Sequence, residues 1–269
     1  MSRRLLYFNH ELFRYHLRKE KRFMTLNKDL EQTLVLIKPD ALKNSLTGYV
    51  LSLLSEFHTN LRFAAAKIVH VDALLAQEHY AEHKGKVFFP SLLEYIQGKL
   101  HNPDEPWKRR VIALVYQGPD AVKKIRDLAG PTNPLVAREK KPGCIRSLGT
   151  LAPIKDASGT VVGERMDNLI HASANDADAE REIKLWFKPN DIPPAMRSYA
   201  TEISDEHYYF KGDKLFTVHE SDSTCLLAPG DIAWQSDLTA LRLLLKGAPS
   251  SLCSLESVAA KYLINEKIE

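Results

Sequence analysis

The 269-residue sequence has few cysteines and no long apolar run. Its three cysteines, Cys144, Cys225 and Cys253, are widely spaced, and no pair has the spacing of a zinc or redox motif. The longest apolar stretches, such as "TLVLI", are much shorter than a membrane span. The N-terminus also lacks the apolar segment of a secretory signal. We therefore expect reduced thiols and a cytoplasmic protein with no membrane partner.

The sequence also lacks an internal repeat and the glycine-rich P-loop signature that holds phosphate in many nucleotide-binding proteins. Any phosphate would therefore have to be bound by scattered cations. Candidates are Lys38 at the end of a strand, Arg126 on a helix and Arg146 in a long loop. Arginine has fork-shaped donors that match phosphate oxygens. Each of these cations, taken alone, is more often an ordinary surface residue.

Charge is unevenly distributed along the chain. Residues 1–23 hold seven basic and two acidic side chains, although the net charge of the whole chain is only +3. Such a basic leader, taken as residues 1–30, can contact nucleic acid or an anionic surface. A solvated, partly helical tail is the simpler interpretation, so we do not expect nucleic acid as a partner.

Apolar periodicity predicts alternating strands and helices before residue 189. The predicted strands lie in "TLVLIKPD", "LRFAAAKIVHV", "VIALVY" and "NLIH". The predicted helices are one through Val50, Leu53, Leu54 and Phe57, one capped by Asp72, one opened by Pro90, one from Pro119 to Gly130, and one opened by Asn175 and Asp176. Residues 131–167 are predicted to be loop-rich, with a hairpin around residues 158–159. This order favours a sandwich of helices on a small sheet over a barrel.

Residues 189–269 are predicted to add two strands, "EHYYF" and "KLFTV", and two helices capped by Ser236 and Ser254. Both helices have an apolar face, and a segment this short buries too little surface alone to offset its chain entropy. We therefore expect this C-terminal extension to pack on the preceding domain or on a neighbouring subunit. The alternative is a small independent domain.

The stretch "DNLIHASAND" brings His171 to the end of an apolar run and follows it with small side chains. A histidine beside an apolar strand is more often structural. Here, however, small residues leave room for a bulky group to approach the imidazole, and Glu182 on the next helix can orient one ring nitrogen. An oriented neutral imidazole is a competent nucleophile. His171 is therefore the candidate nucleophile.

Seven segments resemble, in order, the motifs of the nucleoside diphosphate kinase family, from about Gln32 to Phe187. These segments are "TLVLIKPDA", "HYAEHKGKVFFPSLLEYI", "VIALVYQGPDAV", "GPTNP", "PGCIR", "NLIHAS" and "AEREIKLWF". The resemblance implies an α/β protein, an α+β sandwich with a ferredoxin-like βαββαβ kinase core. That core would occupy residues 31–188 and carry an α/β extension over residues 189–269.

The resemblance also implies an activity. The family transfers the γ-phosphate of ATP or another nucleoside triphosphate to a nucleoside diphosphate by a ping-pong mechanism through a phosphohistidine. Mg²⁺ would be held mainly by the nucleotide phosphates, with no metal ligands from the protein. Nucleoside di- and triphosphates are the expected partners, and the family forms homo-oligomers built on dimers.

Carried over motif by motif, the resemblance assigns a role to eleven residues. His171 would be the phosphorylated nucleophile, with Tyr80 beside it and Ser173 and Glu182 completing its surroundings. Lys38 would hold the transferring phosphate and the sugar hydroxyl. The remaining roles would be a base clamp of Phe88 and Leu92, a β-phosphate grip of Arg126 and Thr132, a γ-phosphate contact from Arg146 and a ribose contact from Asn168.

The sequence departs from the family pattern around the histidine. The family usually has Gly-Arg-Asn before the histidine strand and Gly-Ser-Asp after the histidine, whereas this chain has Met166-Asp167-Asn168 and Ala172-Ser173-Ala174. The connections over residues 98–110 and 132–168 are also longer than usual. These departures leave a second hypothesis open, a catalytically weakened nucleotide-binding regulatory or scaffold protein on the same fold.

Overall fold

The computed structural model describes residues 31–155 and 158–265. The predicted basic leader over residues 1–30 lies outside the described residues. Within the described ranges, no helix has both the length and the apolar character needed to cross a membrane. The three cysteines are free, as expected, and of these Cys144 is buried, Cys225 exposed and Cys253 partly buried.

Strands are separated by two or three α-helices up to β4, which is followed directly by β5 and β6, in the described part of residues 31–188. The strands are β1 (Gln32–Ile37), β2 (Arg62–Val69), β3 (Val111–Gln117), β4 (Thr150–Lys155), β5 (Val161–Asp167) and β6 (Ile170–Ala172). The helices are α1 (Pro39–Lys43), α2 (Thr47–Leu53), α3 (Glu56–Thr59), α4 (Ala73–His79), α5 (Phe89–Ile96), α6 (Ala121–Ala129), α7 (Pro134–Lys140) and α8 (Asp176–Trp186).

Four of these strands form the central sheet in the order β2-β3-β1-β6, and every neighbouring pair is antiparallel. Strand β1 lies inside the sheet, and all six of its residues are buried. The order is that of a ferredoxin-like sandwich, so the predicted fold class is confirmed. The four predicted strands of this sheet are confirmed with it.

The two faces of the sheet pack against different helices because side chains alternate along a strand. Leu34 and Leu36 of β1 belong to an apolar cluster that includes residues of α4 and α8. Val35 and Ile37 belong to a second cluster, on the other face, with residues of α1, α2 and α6. A strand covered on both faces has to be apolar throughout, which explains the continuous run "TLVLI".

The predicted single helix through residues 50–57 is wrong, since two short helices occupy this segment. α2 ends at Leu53, and α3 begins at Glu56 after Ser55, whose hydroxyl accepts a hydrogen bond from the backbone N–H of His58. This N-cap starts a new helix and turns Phe57 into solvent, where it is 92% exposed. Val50 and Leu54 remain in the core, as the periodicity predicted.

The segment predicted to be loop-rich, residues 131–167, contains helix α7 in addition to the predicted hairpin. Pro134 is the first residue of α7, and the side chain of Asn133 accepts hydrogen bonds from the N–H groups of Leu135 and Val136. Asparagine followed by proline is a typical helix start, so the sequence carried a signal for this helix. The hairpin is confirmed, with β4 and β5 forming a separate antiparallel pair.

The extension has more strands than predicted. The elements after residue 188 are β7 (Thr201–Ile203), β8 (Tyr208–Lys211), β9 (Lys214–Phe216), β10 (Thr224–Leu227), β11 (Ile232–Trp234), α9 (Gln235–Leu245) and α10 (Leu255–Tyr262). Strands β8 and β9 and both helices match the prediction. The other three strands, β7, β10 and β11, have three or four residues each and were not predicted.

The two predicted helix caps of the extension have different outcomes. Ser254 caps α10 as predicted, because its hydroxyl accepts a hydrogen bond from the N–H of Ser257 over 3.0 Å. The predicted cap at Ser236 is wrong. The N-cap of α9 is Trp234, which makes no side-chain cap, and the helix starts one residue earlier, at Gln235.

The extension shares the apolar core of the central sheet. Trp234 is fully buried among core residues, and its Nε1 donates a hydrogen bond to the carbonyl of Phe187 over 2.8 Å. Beyond α10, the Asn265 side chain donates to the carbonyl of Ile68 and accepts from the N–H of His70, both over 2.9 Å. These last contacts pair polar groups of an edge strand that would otherwise stay open. The domain division at residues 188 and 189 stays a prediction.

We expect Trp234→Ala to lower the free energy of unfolding by about 3–5 kcal/mol, because it removes a fully buried indole and leaves a cavity. Val218→Ala is the matched control from the same extension, since Val218 is 74% exposed, and should change stability by less than about 0.5 kcal/mol. Urea unfolding at a fixed protein concentration measures both. Equal effects of the two variants would contradict a shared core.

Candidate active site

A cavity of about 400 Å³ opens beside the edge of the central sheet that carries β6. Nine of the eleven residues singled out in the sequence line it: Lys38, Tyr80, Phe88, Leu92, Arg126, Thr132, Arg146, Asn168 and His171. The other two, Ser173 and Glu182, lie behind His171. Segments that are far apart in the sequence therefore meet in one cavity.

His171 lies on β6, opposite Leu36 of the central strand β1. Its Nε2 is 2.8 Å from Oε2 of Glu182, a buried residue of α8. The same carboxylate oxygen accepts a hydrogen bond from the Ser173 hydroxyl over 2.7 Å. The three residues form one connected group at the cavity wall.

The charge on Glu182 decides which nitrogen of His171 carries the proton. Burial raises the pKa of this carboxyl, but the neighbouring His171 and the hydrogen bonds outweigh burial and lower it to about 2. Glu182 is therefore ionised at neutral pH and can only accept. His171 Nε2 must then be the donor, and the lone pair of the neutral ring resides on Nδ1.

The backbone before His171 is held in a strained turn. Leu169 is buried and has a positive φ of 71°, an uncommon conformation for a residue with a side chain. Its N–H donates to Oδ2 of Asp40 over 2.8 Å, and its carbonyl accepts from the N–H of Lys38 over 2.9 Å. Asp40, which we did not single out from the sequence, lies in the "KPD" motif and fixes the entry to the histidine strand.

Lys38 is linked to two other cavity residues. Its Nζ donates to Oδ1 of Asn168 over 2.8 Å, and Nδ2 of Asn168 donates to the carbonyl of Thr132 over 2.9 Å. The ammonium group also lies over the ring of Tyr95, 5.1 Å from its centroid. Burial disfavours the charged form and lowers the pKa of Lys38 to about 8, although the nearby Asp40 opposes the shift.

Two arginines add positive charge to the cavity. Arg146 is buried, and its guanidinium donates to the carbonyls of Gly130, over 3.0 Å, and Ile170, over 3.3 Å. Burial and the nearby Arg126 lower the pKa of Arg146 to about 10, so it stays charged at neutral pH. Arg126 is exposed and lies on α6. The pair offers one rigid and one adaptable cation to an anion.

Another part of the cavity lining is aromatic and apolar. Tyr80 is buried, and its ring stacks on His83 with 6.0 Å between centroids. His83 in turn contacts the ring of Phe88 edge-on, at 5.7 Å. Phe88 is 47% exposed, and Leu92 one turn further on is partly buried. An exposed aromatic ring beside an aliphatic side chain is a suitable surface for a flat apolar ligand group.

His79, which we did not single out from the sequence, supports His171 from behind. The two imidazoles meet edge to face with 4.6 Å between centroids, and Trp186 Nε1 donates to Nδ1 of His79 over 3.2 Å. Burial lowers the pKa of His79 well below its usual value, so the ring is neutral with its proton on Nε2. The only sequence signal for it was its place in the "HY" pair.

His79, His171 and Glu182 also lie close enough to suggest a metal site, with their ligand atoms within 4.8 Å of one another. Their hydrogen bonds argue against it. Nδ1 of His79 is used by Trp186, its Nε2 carries the proton, and Nε2 of His171 donates to Glu182. A metal needs deprotonated nitrogen ligands, so this cluster is arranged for a hydrogen-bonded histidine and not for a metal ion.

The ferredoxin-like sandwich holds one cavity lined by an oriented imidazole, a lysine and two arginines, which is a set of groups suited to a nucleotide-binding phosphotransferase. A family model described as nucleoside diphosphate kinase matches residues 31–192. The nucleoside diphosphate kinase of Pyrococcus furiosus is 37% identical over 164 residues, which cover 61% of this chain and 87% of that relative. The nucleoside diphosphate kinase of Thermus thermophilus is 36% identical over 163 residues, which cover 61% of this chain and 99% of that relative.

A solved structure of the Aquifex aeolicus nucleoside diphosphate kinase is 28% identical, with a TM-score of 0.48. The match covers 61% of this chain and 99% of that one. On the family match and the curated relatives, this chain belongs to the nucleoside diphosphate kinase family, whose members are phosphotransferases. The resemblance seen in the sequence is confirmed. Most of the extension lies beyond the matched residues.

Proposed function

We propose that this chain transfers the γ-phosphate of a nucleoside triphosphate to a nucleoside diphosphate by a ping-pong mechanism through phosphorylated His171. One observation carries the proposal: Nε2 of His171 is tied to the ionised Glu182, while the ring lines a cavity that also contains Lys38, Arg126 and Arg146. Nδ1 is therefore the nucleophilic nitrogen, and the positive charge around it suits a phosphate chain.

In the first half-reaction, Nδ1 of neutral His171 attacks the γ-phosphorus of the donor. The bond between nitrogen and phosphorus forms as the bond to the β–γ bridging oxygen breaks, and the nucleoside diphosphate leaves. The imidazole ring becomes positively charged, and Glu182 stabilises this charge through the hydrogen bond at Nε2. In the second half-reaction, a terminal oxygen of the acceptor diphosphate takes the phosphoryl group, and neutral His171 is restored.

The phosphate contacts follow the charges of the cavity. Arg146, fixed by two carbonyls, is the contact for the γ-phosphate, and Arg126 with Thr132 binds the β-phosphate. Lys38 binds the transferring phosphate and a sugar hydroxyl, while Tyr80 stands beside the histidine. Preorganised cations of this kind stabilise the charge that develops on the transferring phosphoryl group.

The sugar and the base occupy the outer part of the cavity. Asn168 contacts the ribose, and its hydrogen bonds to Lys38 and Thr132 hold its amide in place. Phe88 and Leu92 clamp the base, and neither side chain can read the hydrogen-bonding edge of a base. The enzyme therefore accepts several bases.

Mg²⁺ fits this cavity as a companion of the nucleotide phosphates. Among the described residues that line the cavity, Glu164 is the one carboxylate, and Glu182 is already occupied by His171 and Ser173. A protein cage for Mg²⁺ would need more oxygen ligands, whereas phosphate oxygens supply them readily. When bound, the ion neutralises phosphate charge and favours departure of the diphosphate.

The family also suggests the setting of the enzyme. We expect a homo-oligomer built on dimers that acts in the cytoplasm, with nucleotides and not nucleic acids as partners. The alternative of a catalytically weakened regulatory or scaffold protein is not favoured. The curated relatives carry the name of the enzyme, and the small residues Ala172 and Ala174 leave the hydrogen bonds among His171, Ser173 and Glu182 intact.

We expect His171→Ala to lower phosphate transfer from ATP to a diphosphate by a factor on the order of 10³ or more, since the nucleophile is lost. The fold should survive, because the ring lies at a cavity and not in the apolar core. The control is His70→Ala, whose side chain is exposed. Incorporation of ³²P from γ-labelled ATP, with thermal unfolding alongside, measures both effects. Residual turnover within tenfold of the wild type would contradict the role of His171.

We expect kcat/KM for the donor nucleotide to fall as the pH rises through about 8. The pKa of Lys38 in the free enzyme is about 8, below the ordinary value of a lysine. Its ammonium group is therefore charged below this pH and neutral above it, and phosphate prefers the charged form. In Lys38→Arg the side chain stays charged, so the alkaline decline should move to higher pH. If the decline of kcat/KM in Lys38→Arg occurred at the same pH as in the wild type, Lys38 would not be its cause. If the wild type showed no decline between pH 7 and about 9, the predicted titration of Lys38 would be wrong.

A further inference from the structure

Asp167 stands where the family usually has an arginine, and the structure gives its carboxylate two side-chain partners, Arg165 and His101. Nε of Arg165 donates to Oδ1 over 2.6 Å, and Nη2 donates to Oδ2 over 3.0 Å. Nε2 of His101 lies 3.0 Å from Oδ2. Arg165 and Asp167 belong to the hairpin, and His101 comes from the long connection at residues 98–110. The two insertions of this chain therefore meet at one carboxylate.

This network is largely shielded from solvent. The side chains of His101, Asp167 and Arg165 are exposed by only 7%, 11% and 21%. Burial raises the pKa of Asp167, but the hydrogen bonds from His101 and Arg165 prevail and lower it to about 2, so the carboxylate is ionised. The ring of His101 packs against Tyr95 with 5.2 Å between centroids. A guanidinium bound through two nitrogens to a fixed carboxylate has a fixed plane.

Arg165 lines the same cavity as Phe88 and Leu92, together with its hairpin neighbours Met166 and Ile154. Two of the three guanidinium nitrogens are bound to Asp167, so the plane of the group is fixed and its flat face is available to a flat ligand group. Guanidinium groups stack well on aromatic rings, and their weak hydration lowers the penalty for leaving water. A nucleobase has two flat faces, and Phe88 and Leu92 would contact one of them.

We propose that the Arg165 guanidinium, held by Asp167 and His101, stacks on the nucleobase and is a specificity-determining group of this enzyme. The inference rests on the proposed function, because it concerns the same bound nucleotide. Stacking uses the π face and no base edge, so every base is accepted. A purine has the larger π face and gains more from Arg165 than a pyrimidine does.

The test compares a substrate that has a base with one that lacks it. Phosphoenzyme formation is followed with ATP, CTP and ribose 5′-triphosphate, which has no base. Arg165→Ala should lower kcat/KM about tenfold for ATP and about threefold for CTP, through KM, with the maximal rate within about twofold. For ribose 5′-triphosphate it should change less than about twofold, since deleting the base and deleting its stacking partner remove the same contact.

Two further variants and a control separate stacking from other roles. Arg165→Lys keeps the charge but has no plane, and should behave like Arg165→Ala. Asp167→Asn should shift KM for ATP in the same direction, because the amide holds the guanidinium less firmly. Arg110→Ala removes an arginine that does not line the cavity and should leave all three substrates unchanged.

Other outcomes would overturn the proposal. An equal loss with ATP and ribose 5′-triphosphate in Arg165→Ala would mean that Arg165 binds phosphate or supports the fold. Full retention of kcat/KM for ATP in Arg165→Lys would mean that charge, and not stacking, is what matters. If the wild type formed no phosphoenzyme at all, the proposed function itself would fail, and this inference with it.

Discussion

The hydrogen bond between His171 and Glu182 is the interaction on which the rest of the site depends. It joins the edge strand of the sheet to the helix that follows it, and it works only if both elements are held in register. Pairing with the buried strand β1 fixes the histidine, and burial of α8 against the same sheet fixes the carboxylate. Packing in the core of the sandwich therefore holds the imidazole ring in the orientation that its hydrogen bond to Glu182 requires.

Positive charge in the cavity is maintained against the desolvation penalty. Lys38 and Arg146 are buried, which lowers both pKa values, but each group is anchored by polar partners and remains charged at neutral pH. Such groups are costly to bury without a counter-ion. A nucleotide phosphate chain would add negative charge beside these two cations, and the groups that already fix them would hold them in place for it.

The sequence was most informative where one physical signal dominates. Continuous apolar runs predicted the four central strands, and the motifs around Lys38 and His171 indicated a cavity that long-range packing then assembled. Short elements were harder, because strands of three or four residues carry little periodicity and only two of the five in the extension were predicted. Ser55 and Asn133 start helices through only one or two side-chain hydrogen bonds. Contacts such as that of His101 with Asp167 join residues from two insertions, and no local pattern predicts which insertion will meet which. The asparagine–proline signal at residues 133–134 was readable and shows that capping chemistry can outweigh a loop-like composition.

The position of the phosphate on His171 tests the central claim most directly. The ionised Glu182 holds the proton of the ring on Nε2, which leaves Nδ1 as the only nitrogen able to attack. Protein whose histidines are labelled with ¹⁵N is phosphorylated with ATP. The phosphoenzyme is then examined by ¹⁵N and ³¹P NMR under alkaline conditions, where phosphohistidine persists. The expected result is a single phosphohistidine, at residue 171, with phosphorus bonded to Nδ1. Phosphate on Nε2 of His171, or on any other residue, would contradict the orientation that Glu182 imposes.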